Sequence, residues 1–284
     1  MLPAFVRHGP RVPASPLVFA VPHAGQDYPP ALLANAVLPQ DRLAMLEDRL
    51  VDRLLVPLIA AGATAIVATR ARAWIDLNRD PREIDVAMVD GALPGPAAIA
   101  TARLRGGLGL IPRRIAGATI SHARLPAAEI GRRIAEDHRP YHAAIADALD
   151  AAAARFGTAL LVDCHSMPPL AADPQGHRSD AVIGDLFGRS AAPRFALAAA
   201  RSLRDSGLRV ACNRPYAGGF TLERHAAPSI GRHAIQIELC RSLYLQPGLR
   251  DPGPGLPATA AALARLAESL AATIDDHAFP AAAE

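Results

Sequence analysis

The chain has 284 residues, 51% of them hydrophobic and 20% charged, a balance that suits a folded protein with a large core and excludes an intrinsically disordered one. Aromatic residues make up only 4% and net charge is +3, with arginine supplying every basic side chain and no long basic run, which argues against a nucleic-acid partner. Three cysteines, an odd count at wide spacing, argue against a disulfide framework. There is no signal-like or bilayer-length apolar segment, so the expectation is a cytoplasmic protein with no membrane partner.

In chain order, apolar runs rich in β-branched residues predict strands at about 16–21, 63–69, 158–163, 180–183, 208–212 and 233–239. Helices are predicted at about 40–61, 127–155, 192–206 and 257–275. The first rests on Leu43, Leu46, Leu50, Leu54 and Leu58 at helical spacing. Strands alternating with helices predict a single α/β domain over 1–284, with a mixed, twisted sheet covered by helices on both faces. Residues 86–125 carry Gly and Pro without periodicity and read as an excursion or lid. Residues 246–257, with four prolines, read as a linker to the last helix, and the tail 281–284 is expected to fray.

Two of these strands end on a histidine, in Leu17-Val18-Phe19-Ala20-Val21-Pro22-His23 and in Leu160-Leu161-Val162-Asp163-Cys164-His165. In open α/β sheets chemistry gathers beyond the carboxyl ends of strands, and imidazole is the commonest metal ligand, so His23 and His165 point to one shared metal. A lone histidine would read as a strand-end hydrogen-bonding group; two at like positions favour a site. A third ligand is to be sought among acids. Asp48 and Asp52, at i and i+4 of the predicted helix, share a face. A solvated, ion-paired face is the plainer account of either one.

Glu238 interrupts an otherwise apolar strand, and a buried carboxylate there fits a general base acting on water. The plainer alternative puts Gln236 and Glu238 together on a solvent-facing side, since both fall on one face. Arg72 and Asn78-Arg79 offer donors for a carboxylate or an oxyanion, or a structural network with Asp76 or Asp80. Tyr216 and the pair Gly218-Gly219 follow a strand, where glycine allows close backbone approach. Cys164 is a rival nucleophile, but adjacent strand residues face opposite ways, so it would not pair with His165.

Taken together these segments resemble the N-formylglutamate amidohydrolase family. The matching pieces are Pro22-His23-Ala24-Gly25, the Asp48…Asp52 pair, and Arg72 with Asp76-Leu77-Asn78-Arg79-Asp80-Pro81. They continue with Asp163-Cys164-His165-Ser166-Met167-Pro168, Pro215-Tyr216 with Gly218-Gly219, and Gln236-Ile237-Glu238. The resemblance implies a zinc carboxypeptidase-like (phosphorylase/hydrolase-like) fold. It implies hydrolysis of N-formyl-L-glutamate to formate and L-glutamate, a step of histidine degradation, with one Zn2+ per chain and a small acidic substrate as partner. By that analogy His23, His165 and Asp48 are zinc ligands, Glu238 is the catalytic base, and Arg79 assists it. Asn78, Arg72, Arg189, Arg214, Tyr216, Gly218 and Gly219 bind substrate. The wider carboxypeptidase-like group carries an acid three residues after its first histidine; here that residue is Gln26, so the third ligand falls to Asp48, with Asp52 or Asp27 as alternatives. Other readings are a related zinc hydrolase for a different N-acyl amino acid or small acidic amide, and a non-catalytic metal- or carboxylate-binding protein. The sequence leaves the oligomeric state open.

Overall fold

The computed structural model describes residues 2–93, 96–172 and 175–278; the expected fraying of 281–284 lies outside the described residues. The chain forms two compact units, each assembled from separate stretches. One comprises 2–6, 22–47 and 67–144, and the other 7–21, 48–66 and 145–278.

The second unit carries most of a seven-stranded sheet. Its strands are β1 (Phe5–His8), β2 (Leu17–Val21), β3 (Thr64–Ala68), β4 (Ala159–Met167), β5 (Ala181–Gly184), β6 (Val210–Cys212) and β7 (Arg232–Cys240), and their order is β1-β3-β2-β4-β7-β5-β6. β4 runs parallel to both β2 and β7, while β5 is antiparallel to β7, so the sheet is mixed. All nine residues of β4 are buried, which requires cover on both faces. Leu160, Leu161, Val162, Ile235 and Ile237 form its apolar middle.

The predicted strands are all present. The strand predicted at 158–163 runs on to Met167, because the alternation of its polar end, Asp163-Cys164-His165-Ser166, keeps every residue in register with β7. β1 escaped the sequence reading, being short, half-buried and rich in basic residues.

The helix predicted over 40–61 is not one helix. It breaks into Gln40–Leu43, a 3-10 turn at Ala44–Leu46, Val51–Leu54 and Val56–Ala60. Glu47 is extended, and Leu50 takes a left-handed conformation (φ 61°). Asp48 and Asp52 are therefore not i, i+4 neighbours on one helix. The other three helical segments hold. The chain is helical from α1 (Ala127–Arg133) through a π turn (Ile134–His138) into α2 (Arg139–Phe156). Pro140 has no N–H to give Glu136, and Arg139 N–H bonds Ile134 O instead, which is the i→i−5 bond of the π turn. α3 (Pro193–Asp205) packs against α4 (Leu256–Ala278). Among the described residues no helix is long and apolar enough to cross a membrane.

Residues 86–125 carry little regular structure, but are tied to their own unit. Leu110 N–H bonds Glu83 O, Asp76 N–H bonds Leu110 O, and short two-residue strands pair Val89–Asp90 with Leu125–Pro126. Residues 246–257 form a pinned turn, with Gln246 N–H on Asp251 O and Gly253 N–H on Tyr244 O.

Candidate active site

In the second unit, parallel pairing sets Asp163 opposite Gln236 and His165 opposite Glu238. Residues opposite one another lie on the same face, so four polar side chains share one buried patch on β4 and β7. Their burial excludes the solvent-facing alternative: Glu238 is 8% exposed and Gln236 4%. Gln236 Nε2 donates to Glu238 Oε1 at 2.9 Å.

His165 is held at both ring nitrogens, Nε2 by Asp163 Oδ2 at 2.9 Å and Nδ1 by Asp48 Oδ2 at 3.0 Å. Burial disfavours its charged form, but the carboxylates of Asp163, Asp48 and Glu238 outweigh that and raise its pKa well above the usual histidine range. Asp48, in the break between the short helices, also accepts at Oδ1 from Arg241 at 3.1 Å, and Arg241 Nε donates to Ser166 Oγ at 3.1 Å. Arg241, just past β7, has no place in the sequence reading; its only signal there is its position three residues after Glu238. Burial pushes the Cys164 thiol up, far from any reactive thiolate, which removes it as a nucleophile.

The loop after β6 crosses this same face. Tyr216 packs on Met167, Val182 and Cys240. A Cβ on Gly184 would lie 2.6 Å from Ala217 C, so glycine at 184 is what lets the 217–218 backbone come down on the sheet. Arg214 on this loop is exposed, and Gly218 and Gly219 are buried. Arg189 is placed differently. It is exposed and donates to Leu186 O, and its neighbour Ser190 pairs with Ala234, four strand residues before Glu238. At about 3.3 Å per residue this is roughly 13 Å along β7, which sets Arg189 apart from the other expected substrate residues.

In the first unit, His23 Nε2 bonds Asp76 Oδ1 at 2.7 Å. Asp76 is fully buried. Burial opposes its ionisation, but Arg72, Arg79 and His23 together hold its carboxyl well below the usual range. Arg72 Nε reaches Asp76 Oδ2 at 2.9 Å and Arg79 lies 3.5 Å from the same oxygen, so the Arg–Asp network considered from sequence exists. Arg79 also donates Nε to Leu108 O and one terminal N–H to Asn78 O, so with its other terminal nitrogen beside Asp76 each terminal nitrogen keeps one further N–H. Burial pulls its pKa down to about 10, still charged at neutral pH. The turn after His23 is fastened to 69–71. Asp27 pairs with Arg70, Asp27 N–H bonds Thr69 O, and Gly25 has no room for a Cβ against Arg70 O. Asp27 is thus engaged as the counter-ion of Arg70. Asp52 is a half-buried carboxyl whose pKa burial raises and whose Oδ1 lacks a partner.

The second unit offers the buried Asp48 and His165 as candidate metal ligands, and the first unit offers the buried His23. Two imidazoles and one carboxylate are a known donor set for catalytic zinc. Each imidazole has a carboxylate on its other nitrogen, Asp76 for His23 and Asp163 for His165, the usual support for a ligating histidine.

Comparison with known proteins places the chain. The family model for N-formylglutamate amidohydrolase matches residues 15–245. A curated N-formylglutamate deformylase of Pseudomonas aeruginosa is 30% identical over 239 residues, covering 81% of this chain and 82% of that protein. A second, from Pseudomonas putida, is 28% identical over 237 residues, with the same shares covered. The crystal structure of an N-formylglutamate amidohydrolase from Ralstonia eutropha JMP134 aligns over 97% of this chain and 99% of its own, at 33% identity and a TM-score of 0.89.

Proposed function

The chain belongs to the N-formylglutamate amidohydrolase family, and from that premise we propose that it hydrolyses N-formyl-L-glutamate to formate and L-glutamate, with one divalent metal ion, zinc, held by His23, Asp48 and His165. The observation that carries the reading is the pairing of Glu238 with His165 on one buried face, a carboxylate set beside a metal-type histidine. The sequence resemblance supports adding His23, which follows the end of β2 after one intervening residue.

A bound ion would polarise the formyl carbonyl and lower the pKa of water. The rest of the chemistry belongs to the chain. Glu238 accepts a proton from the attacking water as its oxygen bonds to the formyl carbon, and passes that proton to the departing nitrogen as the C–N bond breaks. The products are formate and the free amine of glutamate. Arg79, through the N–H groups its terminal nitrogens keep beyond those facing Asn78 and Asp76, stabilises the oxyanion, and Asn78 and Arg72 orient the substrate. Arg214 and the Tyr216–Gly219 loop close over the glutamate side chain, and Arg214 faces its carboxylate.

The direct test is formate release from N-formyl-L-glutamate by zinc-loaded protein, beside N-acetyl-L-glutamate and N-formyl-L-aspartate. Release from the first alone is the expected result. A protein holding one zinc that releases formate only from another substrate keeps the hydrolase site and moves its specificity.

A further inference from the structure

The Asn78–Arg79 pair rests on two histidines that the chemistry above does not use. His138 Nε2 lies 2.9 Å from Arg79 O and His142 Nε2 lies 2.8 Å from Leu77 O. A carbonyl can only accept, so both nitrogens carry the hydrogen and both imidazoles donate. The two carbonyls flank Asn78. The carbonyl between them, Asn78 O, accepts from Arg79 itself, and Asn78 N–H bonds Asp76 Oδ1. The backbone that aims the Asn78 and Arg79 side chains is therefore fixed on both sides by imidazole.

Both histidines are buried, and their rings pack at 4.4 Å. They sit at the junction between the π turn and α2. Asp137, the residue before His138, grips the same loop, accepting from Trp74 Nε1 at 2.8 Å and from Arg70 Nε at 3.2 Å. π turns recur at functional sites because they re-aim side chains along a helix. Here the end of the turn presents Asp137 and His138, and the first turn of α2 presents His142, to residues 70–79.

We propose that His138 and His142 are positioning residues: by clamping the Leu77 and Arg79 carbonyls they pre-set Asn78 and Arg79 for a carboxylate-bearing ligand. This rests on the reading of Asn78 and Arg79 as substrate-binding groups. It predicts that affinity for glutamate depends on two residues that never touch it.

The test uses zinc-loaded protein and calorimetric titration with L-glutamate, in His138→Phe, His142→Phe and the matching Gln variants. Phe keeps a ring and removes the donor, whereas the Gln amide returns an N–H at a similar reach. Each Phe variant is expected to raise the L-glutamate Kd about tenfold, one hydrogen bond's worth, and each Gln variant to restore it to within about twofold. In an Asn78→Ala background, His142→Phe is expected to add little further loss, because the two act through one group. Folded Phe variants that bind L-glutamate as wild type does would overturn the clamp and leave the site reading intact. Additive losses in the Asn78→Ala background would also overturn it, since they mark a merely structural histidine. Wild-type protein that binds zinc but neither binds L-glutamate nor turns over its N-formyl derivative overturns the site reading, and the clamp with it. If one Phe variant fails to fold, the other and its Gln counterpart carry the same comparison.

Discussion

Glu238 stands directly opposite His165 in the parallel pairing of β7 with β4, on a face where Gln236 holds one of its carboxylate oxygens at 2.9 Å. A base placed this way needs no movement of the sheet to meet a water beside the histidine. Glu238→Gln keeps the shape and removes the proton acceptor. Turnover is expected to fall about 10²- to 10⁴-fold while zinc content stays at one per chain. Wild-type turnover in the variant would remove Glu238 from the reaction; loss of zinc would make it a ligand or a structural group instead.

Arg241 holds the Asp48 carboxylate from the side away from His165, and ties it to Ser166. Without that guanidinium Asp48 has one fewer donor fixing its orientation. Arg241→Leu should weaken zinc binding about 10- to 100-fold, the usual effect of losing a supporting contact to a metal ligand. Arg241→Lys should recover only part, because an ammonium cannot reproduce the two-point fork to Asp48 and Ser166. Competition with a chromogenic chelator measures this. Unchanged affinity in Arg241→Leu would mean that Asp48 is held well enough by its other contacts.

How much of this could be read from the sequence depends on which residues act locally. His23, His165 and Glu238 announce themselves because each interrupts or ends an apolar strand, and strand alternation assigns their faces without any tertiary knowledge. The same alternation left Glu238 ambiguous between a buried and an exposed face, and only its burial by other elements decided the matter. Asp48 was legible as an acid but not in its setting. The leucine periodicity of 40–61 imitates one helix, and nothing in the sequence marks Leu50 as the residue that turns left-handed and breaks it. The supporting contacts of Asp76 with His23 and of Arg241 with Asp48 are choices of partner between distant segments, which no local pattern encodes, whereas Asp163 stands two residues before His165 on the same strand face.

Gly25 is two residues beyond His23, and a Cβ there would lie 2.1 Å from the Arg70 carbonyl oxygen. The obstacle is backbone, which cannot swing aside like a side-chain tip. Gly25→Ala must therefore push the 23–28 turn away from 69–71, straining the Asp27 N–H bond to Thr69 O and the Asp27–Arg70 pair. The expected cost is about 1–3 kcal/mol of stability, with weakened zinc binding because His23 moves with the turn. Urea denaturation of the metal-free protein gives the first quantity and chelator competition the second. A variant matching wild type in both would show that the turn can shift without cost.

His233 sets a pH dependence unrelated to the metal residues. It is buried at the start of β7, with its ring 4.8 Å from that of Phe195 and its Nδ1 accepting from Ala192 N–H at 3.3 Å. Burial, with Arg194 nearby, pushes its pKa down from 6.5 to about 4. The folded chain thus keeps this imidazole neutral where the unfolded chain protonates it. Between pH 6.5 and about 4 the unfolded state binds the extra proton, so stability falls as pH falls across that window and this contribution is flat outside it. By pH 5 the loss from this one group should reach about 2 kcal/mol. His233→Asn keeps an acceptor for Ala192 N–H and cannot titrate. Urea unfolding at pH 7 and pH 5 should show a smaller drop in the variant than in wild type. Equal drops would mean that His233 is protonated in the folded chain as readily as in the unfolded one.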